Sequence, residues 1–193
     1  MLVDDNRRNT MDYNILGSSR NRDTAKANAQ FVGNVDRHTI TRFSKKADST
    51  APSLYVGADT NLECIFHILI WMANEATSAS IPQPLPQWSE VFEDNVPMHR
   101  ACSNLGIPKA ARGDECRNAL VHYIKMAQLT LAEFAMLLEV VAYDGGLLAL
   151  ALQETRRFQN RAQQGKRSQY EVPEWEGIKA YCKENGIEGL RER

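Results

Sequence analysis

With 193 residues, 43% of them apolar and 24% charged, the chain can build one ordinary hydrophobic core but not two large ones. That balance excludes a wholly disordered protein. A formal net charge of −1 excludes attraction to nucleic acid through overall charge, so any such affinity has to come from a local patch.

Residues 1–57 read as an extended, polar N-terminal arm. The segment is rich in Asn, Arg, Asp, Ser and Thr. Its scattered apolar residues (Ile15, Leu16, Phe31, Val32, Phe43) sustain neither a helical nor a strand period. Residues 1–50 hold nine Lys or Arg against six Asp, a local surplus of three positive charges. Such a segment does not offset its own ordering entropy; a neighbouring copy of the chain, a nucleic acid or the protein's own core would have to order it, and a neighbouring copy is the expected partner. The first residues include Asp4, Asp5, Arg7 and Arg8 and no apolar run, which is not the pattern of a secretory signal.

A helical core is expected over residues 58–165. Thr60 and Glu63 have the spacing of a capping box, in which a hydroxyl and a carboxylate satisfy the free amides of a first turn. The run CIFHILIWMANEA that follows is apolar nearly all round, so it predicts a buried helix with His67 as a core histidine. Alternating prolines at Pro82, Pro84 and Pro86 then enforce an extended connector. A short helix is expected over 88–92. Another is expected over 97–104, with Pro97 at its first position. Asp114 is the expected cap of a helix over 115–128, with Ala119, His122, Tyr123 and Met126 at helical spacing.

Thr130 and Glu133 form a second capping box, opening a helix with the apolar stripe Phe134, Leu137, Leu138 and Val141. Asp144, Gly145 and Gly146 end or kink it. A further helix runs from Leu147 to about Gln164, closed by Gly165. The tail, 166–193, holds a last helix over 173–185 with Gly186 suited to its C-terminal cap. The expected class is all-α: about five to seven helices in the core, with the extended arm before it and the short tail after it.

The apolar stretch 132–152 contains Glu133, Glu139 and Asp144, and residues 64–73 are too few to span a bilayer, so no membrane is expected as partner. Cys64, Cys102, Cys116 and Cys182 are widely spaced without a CxxC pair. They read as free thiols in a reducing, intracellular compartment, so the expected location is the cytoplasm, or a virion if the chain is a coat subunit.

Two constellations could carry chemistry. Arg156, Arg157, Arg161, Lys166 and Arg167 form a basic cluster opposed only by Glu154 over 154–167. Phe158 and Tyr170 lie among these cations, and an aromatic beside arginines can stack on an unpaired base. Phosphate backbones favour such a surface through counterion release. The competing reading is a solvated helix end whose cations complement the C-terminal dipole. The second constellation pairs Cys64 with His67 and His99 with Cys102, each three apart. Brought together, the four would form a tetrahedral zinc set, although the spacing matches no standard zinc module. No GxSxG, HExxH, GxxxxGK[ST] or GxGxxG sequence occurs, so no enzyme activity and no cofactor is expected.

The layout of arm, helical core and basic tail resembles that of coat proteins from helical RNA viruses. It is a resemblance of architecture that carries no residue across. It implies a self-assembling, virus-type coat or nucleocapsid subunit that packages RNA and associates with copies of itself through the arm. Two alternatives are an accessory subunit of a large intracellular protein or ribonucleoprotein assembly, and a small helical metal-binding regulator or enzyme.

Overall fold

The computed structural model describes residues 12–17, 30–47, 53–56, 60–77, 91–108, 114–141, 144–165 and 172–187. Among them are seven helices and three strands, so the fold is mostly helical and includes the expected helical core. The chain divides into two compact units. Unit 1 is Met1–Pro86 with Ala101–Gly113, and unit 2 is Gln87–Arg100 with Asp114–Arg193. These boundaries differ from the expected arm, core and tail.

Unit 1 contains strands β1 (Asp12–Gly17), β2 (Gln30–Asp36) and β3 (Ser53–Val56), helix α1 (Arg37–Phe43) and helix α2 (Leu62–Thr77). The strand order is β2-β1-β3, with β1 antiparallel to β2 and parallel to β3. The β1–β2 register shifts between Ile15 and Leu16, the mark of a bulge. All three strands lie inside the segment whose sequence showed no period. They are four to seven residues long. In β1 and β2, Asn, Gly and Asp interrupt any alternation, β3 is only four residues long, and the pairing of all three is decided by distant partners.

Asp36 ends β2 and caps α1, accepting a hydrogen bond from the Thr39 amide at 3.1 Å. Helix α2 is capped by Asn61, whose Oδ1 accepts from the amides of Glu63 (2.9 Å) and Cys64 (3.2 Å). The expected box at Thr60 is therefore displaced by one residue. The Thr60 hydroxyl instead accepts a hydrogen bond from Asn104 Nδ2. The inner face of α2 buries Ile65, Ile68, Leu69, Trp71 and Met72. It approaches β2 so closely that a Cβ on Gly33 would stand 3.3 Å from Leu69 Cδ1. Phe43 of α1 meets Trp71 edge-on, with ring centroids 5.2 Å apart. The other face of α2 is not buried: Phe66 is 50% and Ile70 44% exposed, and His67 is exposed as well. An apolar run this continuous could bury either face or both, and the strands cover only one.

Helix α3 (Phe92–Leu105) supplies residues to both units, its first nine to unit 2 and its last five to unit 1. Pro97 stands inside the helix, not at its first position. The helix ends on Gly106, whose φ is +67°. The amides of Gly106 and Ile107 return to the carbonyls of Ser103 (3.1 Å) and Cys102 (3.0 Å), a Schellman closure. The Lys45 amide donates to the Gly106 carbonyl at 3.0 Å, and the Ser44 hydroxyl donates to the Leu105 carbonyl. The chain after α1 is thereby tied to this helix end.

Unit 2 adds α4 (Glu115–Met126), α5 (Leu131–Val141), α6 (Gly145–Gln163) and α7 (Trp175–Glu184). Its core gathers Phe92, Val96, Leu120, Ile124, Phe134, Leu137, Leu147, Phe158 and Ile178. On α4 the buried row is Cys116, Leu120 and Ile124. The expected row is rotated outward, with Met126 71% exposed and His122 exposed. Both rows have helical spacing, so only the neighbours choose between them. The capping box of α5 stands as expected. The Thr130 amide donates to Glu133 Oε2 at 2.7 Å, and the Glu133 amide donates to Thr130 Oγ1 at 3.2 Å.

The residues expected as a short C-terminal tail instead contribute α7 to the unit 2 core through Ile178 and Cys182. Gly186, at φ +66°, closes α7 with its own amide on the Lys183 carbonyl and the Ile187 amide on the Cys182 carbonyl at 2.8 Å. At the other end of α7, Glu174 takes the left-handed conformation (φ 55°, ψ 32°) that non-glycine residues rarely adopt. Its Oε2 accepts from the Leu131 amide at 3.2 Å, one of the free donors at the start of α5.

Candidate functional site

Of the basic cluster, Arg156, Arg157 and Arg161 lie in the C-terminal part of α6, and the structure treats them differently. Arg156 is half-buried and Arg161 exposed in the last turn. Arg157 is committed within the protein. Its Nε lies 2.6 Å from Oε2 of the buried Glu154, and its Nη2 donates to the Lys125 carbonyl at 3.2 Å. Its guanidinium carbon also stands 5.3 Å from the centroid of the Phe158 ring. That ring is only 6% exposed and belongs to the unit 2 core, so it is not a platform for a base, contrary to the sequence expectation. Large aromatics at helical spacing fill the core first, because burying one is worth about 1.5–3 kcal/mol. Lys166, Arg167 and Tyr170 lie outside the described residues.

A cluster that sequence reading missed centres on Asp144. Its side chain caps α6 by accepting from the Leu147 amide at 3.0 Å. Arg117 of α4 binds it with both donors of a fork, Nε to Oδ2 at 2.7 Å and Nη2 to Oδ1 at 3.2 Å. His99 of α3 places Nε2 at 3.2 Å from the same Oδ2. Burial of Asp144 works to raise its pKa. The hydrogen bonds from Arg117 and Leu147 outweigh this and hold the carboxyl below its usual range. His99 is shifted the other way. Burial favours its neutral form, and the attraction of Asp144 only partly opposes this, so its pKa is lowered. A neutral imidazole can donate from Nε2 to Asp144. One carboxylate thus joins α3, α4 and the start of α6. Only the cap was legible in the sequence, as an Asp before two glycines; His99 and Arg117 stand 45 and 27 residues away.

The Cys–His pairs do not form the zinc set that their spacing allows. Cys64 is buried while His67 is exposed, His99 is engaged by Asp144, and Cys102 is buried. Among the described residues no group of three or more His, Cys, Asp or Glu is placed to hold a metal ion. Cys64, Cys102, Cys116 and Cys182 are all free thiols and all buried. Glu133 is used twice, in its capping box and as acceptor of the Tyr123 hydroxyl at 2.6 Å, and that bond pushes the Tyr123 pKa up to about 12. Glu139 is exposed. Among the described residues no helix is long and apolar enough to cross a membrane.

No protein-family model, curated protein or solved structure matches the chain.

Proposed function

We propose that the chain works by binding other macromolecules, as a non-catalytic subunit of a larger assembly. The observation that carries this reading is the outward face of α2. Phe66 and Ile70 stand one turn apart, each roughly half exposed, with His67 beside them. Apolar surface left in water forgoes about 25 cal/mol for every Å² that a partner could cover. A contiguous apolar patch is a common mark of an interaction surface.

Two assemblies fit. In the first, an accessory subunit of a protein or ribonucleoprotein complex, the α2 face meets a partner protein. In the second, a virus-type coat or nucleocapsid subunit, copies of the chain package RNA along Arg156, Arg161, Lys166 and Arg167, with Arg157 contributing less because Glu154 already holds it. The internal pairing of β1, β2 and β3 favours the first, because these parts of the arm find their partners within their own chain. The exposed Arg161 at the basic helix end favours the second.

The test compares the wild-type protein with the Phe66→Lys/Ile70→Lys variant by sedimentation velocity over a range of concentrations, and by affinity capture from cells that express the protein. Association that the wild type shows and the variant loses supports the reading; equal behaviour of the two removes the α2 face from it. Particles with a nucleic-acid absorbance ratio would select the coat subunit. Neutralising Arg156 and Arg161 should then reduce the slope of log affinity against log salt by about 1 to 2. An unchanged slope excludes those residues.

A further inference from the structure

We infer that the end of α4 and the second half of α6 form one continuous binding face for the backbone of a single nucleic-acid strand. The inference rests on the RNA-packaging reading above and deepens it. To Arg161 it adds Lys125 and His122 of α4, which stand far from the basic cluster in the sequence.

The two helices pack against each other. Arg157 of α6 donates from Nη2 to the Lys125 carbonyl, in the last turn of α4, at 3.2 Å. On α6, Gln153, Arg157, Arg161 and Gln164 recur at spacings of three and four, so they share a face, and all four are exposed. Arg157 turns that face toward α4. There His122 and Lys125, three apart, are exposed as well. The row on α6 extends over roughly 16 Å at 1.5 Å per residue.

The charge of this face is not consumed within the protein. The carboxylates of the two helices are Glu115, in the first turn of α4, and Glu154, which is buried and held by Arg157. Among the described residues neither Lys125 nor Arg161 is ion-paired. Nor do the helix ends need their charge as caps. Arg157 serves the Lys125 carbonyl, and the amides of Gln164 and Gly165 serve the carbonyls of Asn160 (3.2 Å) and Ala162 (3.0 Å).

Cations alternating with amides in a row suit a linear polyanion. Arg and Lys meet its phosphates, while Gln153 and Gln164 can hydrogen-bond phosphate, sugar or base edges. The exposed imidazole of His122 and the thioether of Met126, 71% exposed, offer contact to unpaired bases, which a single strand presents and a duplex hides. Met126 is the one large apolar side chain exposed on these two helices, too little to seat them in a bilayer.

The test follows binding of the full chain to fluorescein-labelled oligouridylate and oligothymidylate by anisotropy over a range of salt concentrations. Lys125→Gln and Arg161→Gln should each lower the slope of log affinity against log salt by about 0.7, and the double variant by about 1.4. Lys125→Arg should restore the wild-type slope. Tighter binding of oligouridylate identifies the strand as RNA, and equal affinities identify the backbone that the two share. If the wild type binds neither oligonucleotide, the packaging reading fails and this face with it. If Arg161→Gln lowers the slope and Lys125→Gln does not, the packaging reading stands and the α4 half of the face is overturned. Displacement of the oligonucleotide by polyglutamate at equal charge, or tighter binding of a duplex, overturns the assignment to a single strand.

Discussion

The two units are held in different ways. Unit 2 is stitched from local devices: a capping box at Thr130 and Glu133, an Asp144 cap and a glycine closure at Gly186, all around one continuous apolar core. Unit 1 relies on distant partners. Its β3 pairs with β1 across about forty residues, and Ser44 and Lys45 reach Leu105 and Gly106 about sixty residues away. Local devices reduce the ordering cost of one element at a time, whereas long-range pairings stabilise only when several segments arrive together. The comparison implies that unit 2 tolerates loss of a single cap and responds most to its core, while unit 1 is sensitive at its crossing points.

The largest expected effect is in the unit 2 core. Phe134 is fully buried, and Phe134→Ala should lower stability by about 3–5 kcal/mol in chemical denaturation. A loss under about 1 kcal/mol would mean that this core is not continuous.

Next comes the Asp144 cluster, the least local device in unit 2. Asp144→Ala removes a cap, a forked ion pair and the His99 contact together, for a loss of about 2–3 kcal/mol. Asp144→Asn keeps a good capping residue and should recover about 1 kcal/mol of that loss. If the two variants melt alike, the ion pair alone accounts for the effect.

The glycine closures compare the units directly. Gly106→Ala and Gly186→Ala both force an alanine into positive φ, at about 1–2 kcal/mol each. At Gly186 the added Cβ meets open space, whereas at Gly106 it stands 2.9 Å from Lys46 Cγ and 3.2 Å from the Lys46 amide nitrogen. Thermal melts should therefore place Gly106→Ala below Gly186→Ala by a few degrees, and the reverse order would break the comparison.

The smallest effect is that of pH. Burial lowers the folded-state pKa of His99, so below 6.5 the unfolded chain binds the extra proton more readily than the folded one. Stability contributed by the neutral imidazole is full above pH 6.5 and declines as pH falls toward the folded pKa. The melting temperature should drop over that window, and His99→Gln should flatten this part of the profile.

Legibility followed the same division. The capping box at Thr130, the stripe Phe134–Leu137–Val141 and the closure at Gly186 were readable because each depends on residues within a few positions. The sheet was not, since β1 and β2 mix Asn, Gly and Asp with apolar residues and β3 is only four residues long. Nor was the Asp144 cluster, whose three side chains come from α3, α4 and the turn before α6. The basic cluster was visible as charge, yet its internal pairing with Glu154 and the burial of Phe158 were not.

What the sequence by itself determined is where most of the helices after residue 60 stop, because caps and glycines act through neighbouring backbone groups. Helix α1, inside the segment read as an arm, and the start of α3 at Phe92, before the expected Pro97, were not determined by it. Even among the later helices Asn61 took the cap expected of Thr60, whose hydroxyl instead accepts from Asn104. Tertiary structure alone decided which face of α2 and which row of α4 go inside. Helical spacing offers several equivalent faces, and burial against particular neighbours selects among them. The same selection left Phe66 and Ile70 at the surface.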